Sequence, residues 1–111
     1  MNNVLQKFAE ACIVKGECEE IGDSKKGNKQ YKTIHTIYLL LKEEGRLDEL
    51  LELLDHDNPY VRSWAAGYTL QISPKKAKEV LIELSKIKGR PVAFNSEMTL
   101  REWRKGNLNF D

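Results

Sequence analysis

The chain has 111 residues and a mass of 12.8 kDa, a size that suits one domain with one modest core. Its residues are 41% hydrophobic and 32% charged, which excludes a disordered chain. Lys and Arg total 18 against 17 for Asp and Glu, so the formal charge of +1 gives no global pull toward nucleic acid, a membrane or a strongly acidic partner.

The first segment, from about Asn3 to Lys15, carries Leu5, Phe8, Ala9 and Cys12 on one helical stripe. Gly16 and the acids Glu17, Glu19, Glu20 and Asp23 follow, then a glycine-broken basic loop, Lys25-Lys26-Gly27. A second helix is predicted from near Asn28 to just before Gly45, with Tyr31, Ile34, Ile37, Tyr38 and Leu41 inward. Leu47, Leu50, Leu51 and Leu54 stand at i, i+3, i+4 and i+7 and predict a short third helix. Asn58 is an N-cap and Pro59 a first-turn residue for the fourth helix, which directs Val61, Trp64, Ala65, Tyr68 and Ile72 inward. Ser73-Pro74 repeats that start for a fifth, with Ala77, Val80, Leu81, Leu84 and Ile87 inward. Gly89-Arg90-Pro91 breaks the chain, and a sixth helix from about Ser96 to Lys105 presents Met98, Leu100 and Trp103. No alternating strand pattern of useful length is present. The expected fold is therefore all-α, six helices pairing into three antiparallel hairpins whose apolar faces are buried by stacking.

Residues 1–15 mix Val4, Leu5 and Phe8 with Gln6, Lys7 and Glu10, so they hold no unbroken apolar secretory core. The longest apolar run, Ile37 to Leu41, is too short to span a bilayer. A cytoplasmic protein without a membrane span is expected. Cys12 and Cys18 would lie roughly 9 Å apart along a helix axis, too far for an unstrained disulfide. No second Cys pair or nearby His completes a zinc set, so buried, inert thiols are expected. His35 and His56 have no Ser, Cys or second His at a spacing that builds a catalytic pair. Asp48, Glu49, Glu52, Asp55 and Asp57 are the wet face of the third helix rather than an acid/base pair in a pocket. The reading is a protein that is not an enzyme and carries no metal or cofactor.

Residues 47–87 carry a leucine helix, an Asp/Asn/Pro turn, then Pro59, Val61, Arg62 and Ala65–Ala66, and a further helix. In this they resemble a HEAT repeat. That family commonly has an Asp six residues before the Arg, where His56 stands here, and Asp55 or Asp57 is the substitute partner for Arg62. Over its whole length the chain looks like a small bacterial family of HEAT-like proteins. The likeness rests on the Gly-, Asn- and Lys-containing start of the second helix, PYVRSWAA, and the closing MTLREWRKGNL. The resemblance implies a short α-solenoid that binds another protein. It further implies an immunity or inhibitor protein, because proteins of this kind often lie beside polymorphic toxins.

In HEAT-like stacks the second helix of each pair lines the concave side, which assigns that surface to helices two, four and six. Tyr60, Ser63, Gly67 and Gln71 form one outward line on the fourth, and Lys32, His35, Arg101 and Arg104 are its neighbours. The expected partner site is thus Lys32, His35, Tyr60, Ser63, Gly67, Arg101 and Arg104, with Tyr60 as aromatic anchor. Trp64 is expected in the core and Trp103 as a cap. Charge is polarised. Residues 43–57 hold seven acids against Arg46, giving −6, and residues 58–105 hold ten bases and four acids, giving +6. The acidic strip is the competing face, and a nucleic-acid-binding HEAT-like protein the alternative function.

Overall fold

A computed structural model describes residues 3–108 and 110. Among the described residues it contains six helices and no strand. They are α1 (Asn3–Ile21), α2 (Ser24–Glu43), a 3-10 helix (Leu47–Asp55), α3 (Pro59–Thr69), α4 (Pro74–Leu84) and α5 (Pro91–Arg104).

The all-α expectation holds, and three boundaries move. α1 runs on through Gly16 to Ile21 because Gly16 and Cys18 continue its buried side and Lys15 pairs with Glu19 one turn on, at 2.9 Å. Asp23 caps α2 by accepting from the Lys26 N–H at 3.1 Å, so the expected basic loop 25–27 is instead the helix's first turn. Pro91 opens α5, where its missing N–H is harmless, five residues before the expected start. Gly22 (φ 76°) and Gly45 (φ 69°) make the reversals on either side of α2, a conformation that other residues adopt only with strain.

The Asn58-Pro59 start of α3 forms as the sequence indicates, with Asn58 Oδ1 accepting from the Tyr60 N–H at 2.8 Å and the Val61 N–H at 3.4 Å. The partner of Arg62 differs from expectation. Its guanidinium donates to the backbone carbonyls of His56 (2.9 Å) and Asp57 (3.4 Å), not to the carboxylates of Asp55 or Asp57. His56 Nδ1 accepts from the Asn58 N–H at 3.0 Å, so the turn is held through backbone groups.

α1 packs on α2, the 3-10 helix on α3, and α4 on α5. α3 also touches α4, α1 and α5, and α5 reaches back to α1. The core therefore wraps α3, with Phe8, Ile34, Leu41, Leu50, Val61, Tyr68 and Leu81 fully buried. Cys12 and Cys18 are free and buried, and burial pushes the Cys12 thiol well above the ordinary thiol range. Trp64, Val80 and Ile87, expected inward, are only partly buried, and two more are exposed. Tyr31 is 41% exposed, and Ile72, beyond the end of α3, is 45% exposed.

Candidate functional site

The wrap around α3 is incomplete on one side, where an open cleft of about 470 Å³ remains. Its floor is the i, i+3, i+4, i+7 row of α3: Tyr60, Ser63, Trp64 and Gly67. The α2 rim supplies Asn28 and Tyr31, the α5 rim Phe94, Asn95, Met98 and Thr99. Lys15 and Glu19 of α1 close one end and Phe110 the other. The volume falls within the range of roughly 300–1,000 Å³ usual for sites that hold small molecules.

The walls are aromatic. Tyr31 and Trp64 have ring centroids 5.9 Å apart, Trp64 and Tyr68 5.9 Å, and Tyr68 meets Phe110 edge-on at 4.6 Å. Phe94, 65% exposed, faces solvent on the α5 rim. A Cβ at Gly67 would lie 3.6 Å from Thr99 and 3.9 Å from Phe110, ordinary contact distances. Close helix approach is thus not what Gly67 serves, and its missing side chain keeps the floor low.

Polar groups gather at the α1 end. Lys15 Nζ lies 2.9 Å from Glu19 and 5.9 Å from the Trp64 ring centroid, so one ammonium serves an ion pair and a cation–π contact. Asn95 Nδ2 donates to Glu19 at 2.9 Å and ties α5 to α1. A second tie lies just beyond. Tyr60 OH donates to Glu20 at 3.0 Å, and Arg90 Nη2 donates to the same oxygen at 2.6 Å. The Arg90 guanidinium, then the Tyr60 hydroxyl, holds the Glu20 carboxyl below the usual carboxylate range. Burial first, and the bond to Glu20 second, push the Tyr60 phenol up to about 12.

The seven residues expected to form the site are only partly brought together. Ser63 and Gly67 are in the floor, Ser63 Oγ lying 2.9 Å from Ser96 Oγ. Tyr60 is 3% exposed, so it is a buried end wall and not an outward anchor. The reason is that α3 is covered by neighbours on several sides, which leaves little outward face. His35 stacks on Tyr31 at 5.6 Å with its Nδ1 3.4 Å from Tyr68 OH, directly behind the cleft wall. Lys32 is exposed beside Tyr31. Arg101 and Arg104 lie elsewhere, bordering a separate hollow with Ile82, Ser85 and Leu100 on the α4 side of α5, where Arg101 pairs with Glu97 at 3.2 Å.

Sequence reasoning missed Tyr31 and Trp64, which it placed in the core, and Phe94, which it left in a break. Trp64 packs against the core cluster yet is only partly buried, because its ring is also the cleft wall. Reading Pro91 as a helix start would have put Phe94, Asn95 and Met98 on one exposed face. Trp103 packs partly buried against the core, beside Leu108 and Phe110.

An all-α chain with an aromatic cleft beside its central helix is the class that fold and site define. The chain matches the family described as a domain of unknown function (DUF2019) over residues 2–103, and it belongs to that family. It is similar to the crystal structure of the protein RPA1889 from Rhodopseudomonas palustris CGA009, with a TM-score of 0.86 and 25% identity over 96% of this chain and 90% of that one. No curated protein matches the chain. Among the described residues, no helix is long and apolar enough to cross a membrane, and no three His, Cys, Asp or Glu side chains converge as a metal set.

Proposed function

We propose that the chain is a protein-binding module of HEAT-like type that acts by occupying its partner through the α2–α3–α5 cleft. The observation that carries this reading is the exposure of Phe94 (65%) and Tyr31 (41%) on opposite rims, with Trp64 between them. Exposed aromatic side chains around a concavity, rimmed by polar groups, are the composition of binding hot spots. The cleft offers contact chemistry. Its rings, amides and one satisfied ion pair recognise a surface, and the module needs no metal or cofactor to do so. The Asn58-Pro59 turn with Arg62 across it supports the HEAT-like assignment.

The resemblance to HEAT-like proteins found beside toxins extends the reading to an immunity or inhibitor protein that blocks its partner. Free, buried Cys12 and Cys18 fit work in a reducing cytoplasm. Nucleic-acid binding is the weaker reading, because Lys15 in the cleft is neutralised by Glu19, and Arg101 and Arg104 lie on another face.

Affinity capture from the native cell tests the proposal, with wild-type, Phe94→Ala and Arg101→Glu/Arg104→Glu chains as baits. A protein held by the wild type and by the Arg variant but lost with Phe94→Ala supports the cleft. A partner indifferent to Phe94→Ala and lost with the Arg variant moves the interface to the α4–α5 side and ends this reading.

A further inference from the structure

The α2 rim has a charge that the cleft floor lacks. Residues 24–32 hold Lys25, Lys26, Lys29 and Lys32 and no acid, at the positive dipole end of a 20-residue helix. Lys25 and Lys32 lie three residues before and four after Asn28, so they flank the rim on its solvent side. Both are exposed, and neither makes an ion pair among the described residues. The carboxylate in the cleft, Glu19, is committed to Lys15 and Asn95. The free charge at the mouth is therefore positive.

Two of the chain's own side chains lie along this trough. Beyond α5, Leu108 and Phe110 line an adjoining hollow of about 250 Å³ together with Tyr38, Gly67 and Trp103. Phe110 lies edge-on to Tyr68 at 4.6 Å and to Tyr38 at 5.8 Å, and it also closes the main cleft. Phe110 thus borders both hollows with its ring set against aromatic neighbours, and the cleft walled by Tyr31, Trp64 and Phe94 stays open. Its aromatic walls suit another ring, as Tyr68 takes the edge of Phe110.

Resting on the protein-binding reading above, we propose that the cleft takes an acidic segment of the partner protein. An aromatic side chain of that segment enters between Tyr31, Trp64 and Phe94, and its carboxylates meet Lys25 and Lys32. Attraction at the rim steers and orients the segment, while burial of the ring supplies most of the affinity.

The full chain, isotopically labelled, tests this by titration with a short synthetic peptide that has a central Phe flanked by Asp and Glu. Three comparison probes are used: the peptide with Ala for Phe, the peptide with Lys for its acids, and an oligothymidylate. The acidic Phe peptide is expected to move the resonances of Tyr31, Trp64 and Phe94, and each altered peptide to bind about tenfold more weakly. A Lys25→Glu/Lys32→Glu chain should lose about as much, with its spectrum otherwise that of the folded wild type, since both sites are exposed. Equal binding of the basic peptide, binding of the oligothymidylate alone, or shifts confined to the α4–α5 hollow overturns the proposal. Capture of a partner that depends on Phe94 but inserts no acidic aromatic segment overturns it too, and leaves the protein-binding reading standing.

Discussion

Gly16 lies in the middle of α1, and a Cβ there would overlap the ring of Tyr60. Alanine for glycine inside a helix ordinarily stabilises by about 1 kcal/mol. Here the buried ring must shift, so Gly16→Ala is expected to destabilise by about 1–3 kcal/mol in urea denaturation. Gly27→Ala is the control. Its Cβ would lie 3.5 Å from Cys18, an ordinary contact, and a gain of about 0.5–1 kcal/mol is expected. A Gly16→Ala chain as stable as wild type would show that Tyr60 moves aside freely. At Trp64 the position matters as much as the size. A fully buried Trp would lose about 3–5 kcal/mol on truncation to Ala. Trp64 is only partly buried as a cleft wall, so Trp64→Ala is expected to lose about 1–3 kcal/mol in the same assay. A loss at the fully buried level would return Trp64 to the core and remove it from the cleft.

Elements are tied across the cleft by polar groups that span long stretches of sequence. Glu20 at the end of α1 holds Tyr60 at the start of α3 and Arg90 just before α5. Glu20 has a folded pKa below its unfolded value, so its contribution is present above the usual Glu pKa of about 4.3 and is lost as pH falls through the folded value. The stability difference between wild type and Arg90→Ala is therefore expected to be full at neutral pH and to shrink below about pH 4, followed by urea denaturation. A difference unchanged in acid would mean that Arg90 acts by lying over the Tyr60 ring, 5.9 Å away, rather than through Glu20. Tyr60 runs the other way. Its folded pKa is raised to about 12, so its contribution is complete below the unfolded value near 10 and is lost as pH rises through about 12. Alkaline titration of tyrosinate absorbance checks this, and ionisation of Tyr60 near its ordinary pKa would rule out the closed tie.

At the scale of the molecule α3 is the hub, since it meets α1, the 3-10 helix, α4 and α5. Opening any one neighbour leaves α3 covered by the others. Its amides are therefore expected to be the slowest to exchange with solvent, with α2 faster, in native-state hydrogen exchange. Slower exchange in α2 than in α3 would contradict the hub. The same wrap explains the overall dimensions of 36 × 29 × 25 Å, as α5 closes back toward α1 through Asn95–Glu19 and Arg90–Glu20.

The sequence by itself determined the helical class, the Asn58-Pro59 and Ser73-Pro74 starts, the Gly45 stop, and the inward faces Ile34/Ile37/Leu41 and Ala77/Leu81/Leu84. These follow from local geometry, in which caps, dihedrals and a 3.6-residue stripe act within a few turns. It also pointed to the α2, α3 and α5 faces and to Ser63 and Gly67. Tertiary structure alone decided which aromatic rings are core and which are cleft, since Tyr31 on α2 and Trp64 and Tyr68 on α3 all stand on inward stripes and differ in what lies opposite. It decided Tyr60 as well. On a helix with one covered side, position 60 would face outward, but α1 and its Gly16 lie against that side and bury it. Periodicity reports the direction a side chain takes from its own axis, and only the neighbouring helices settle whether solvent is there.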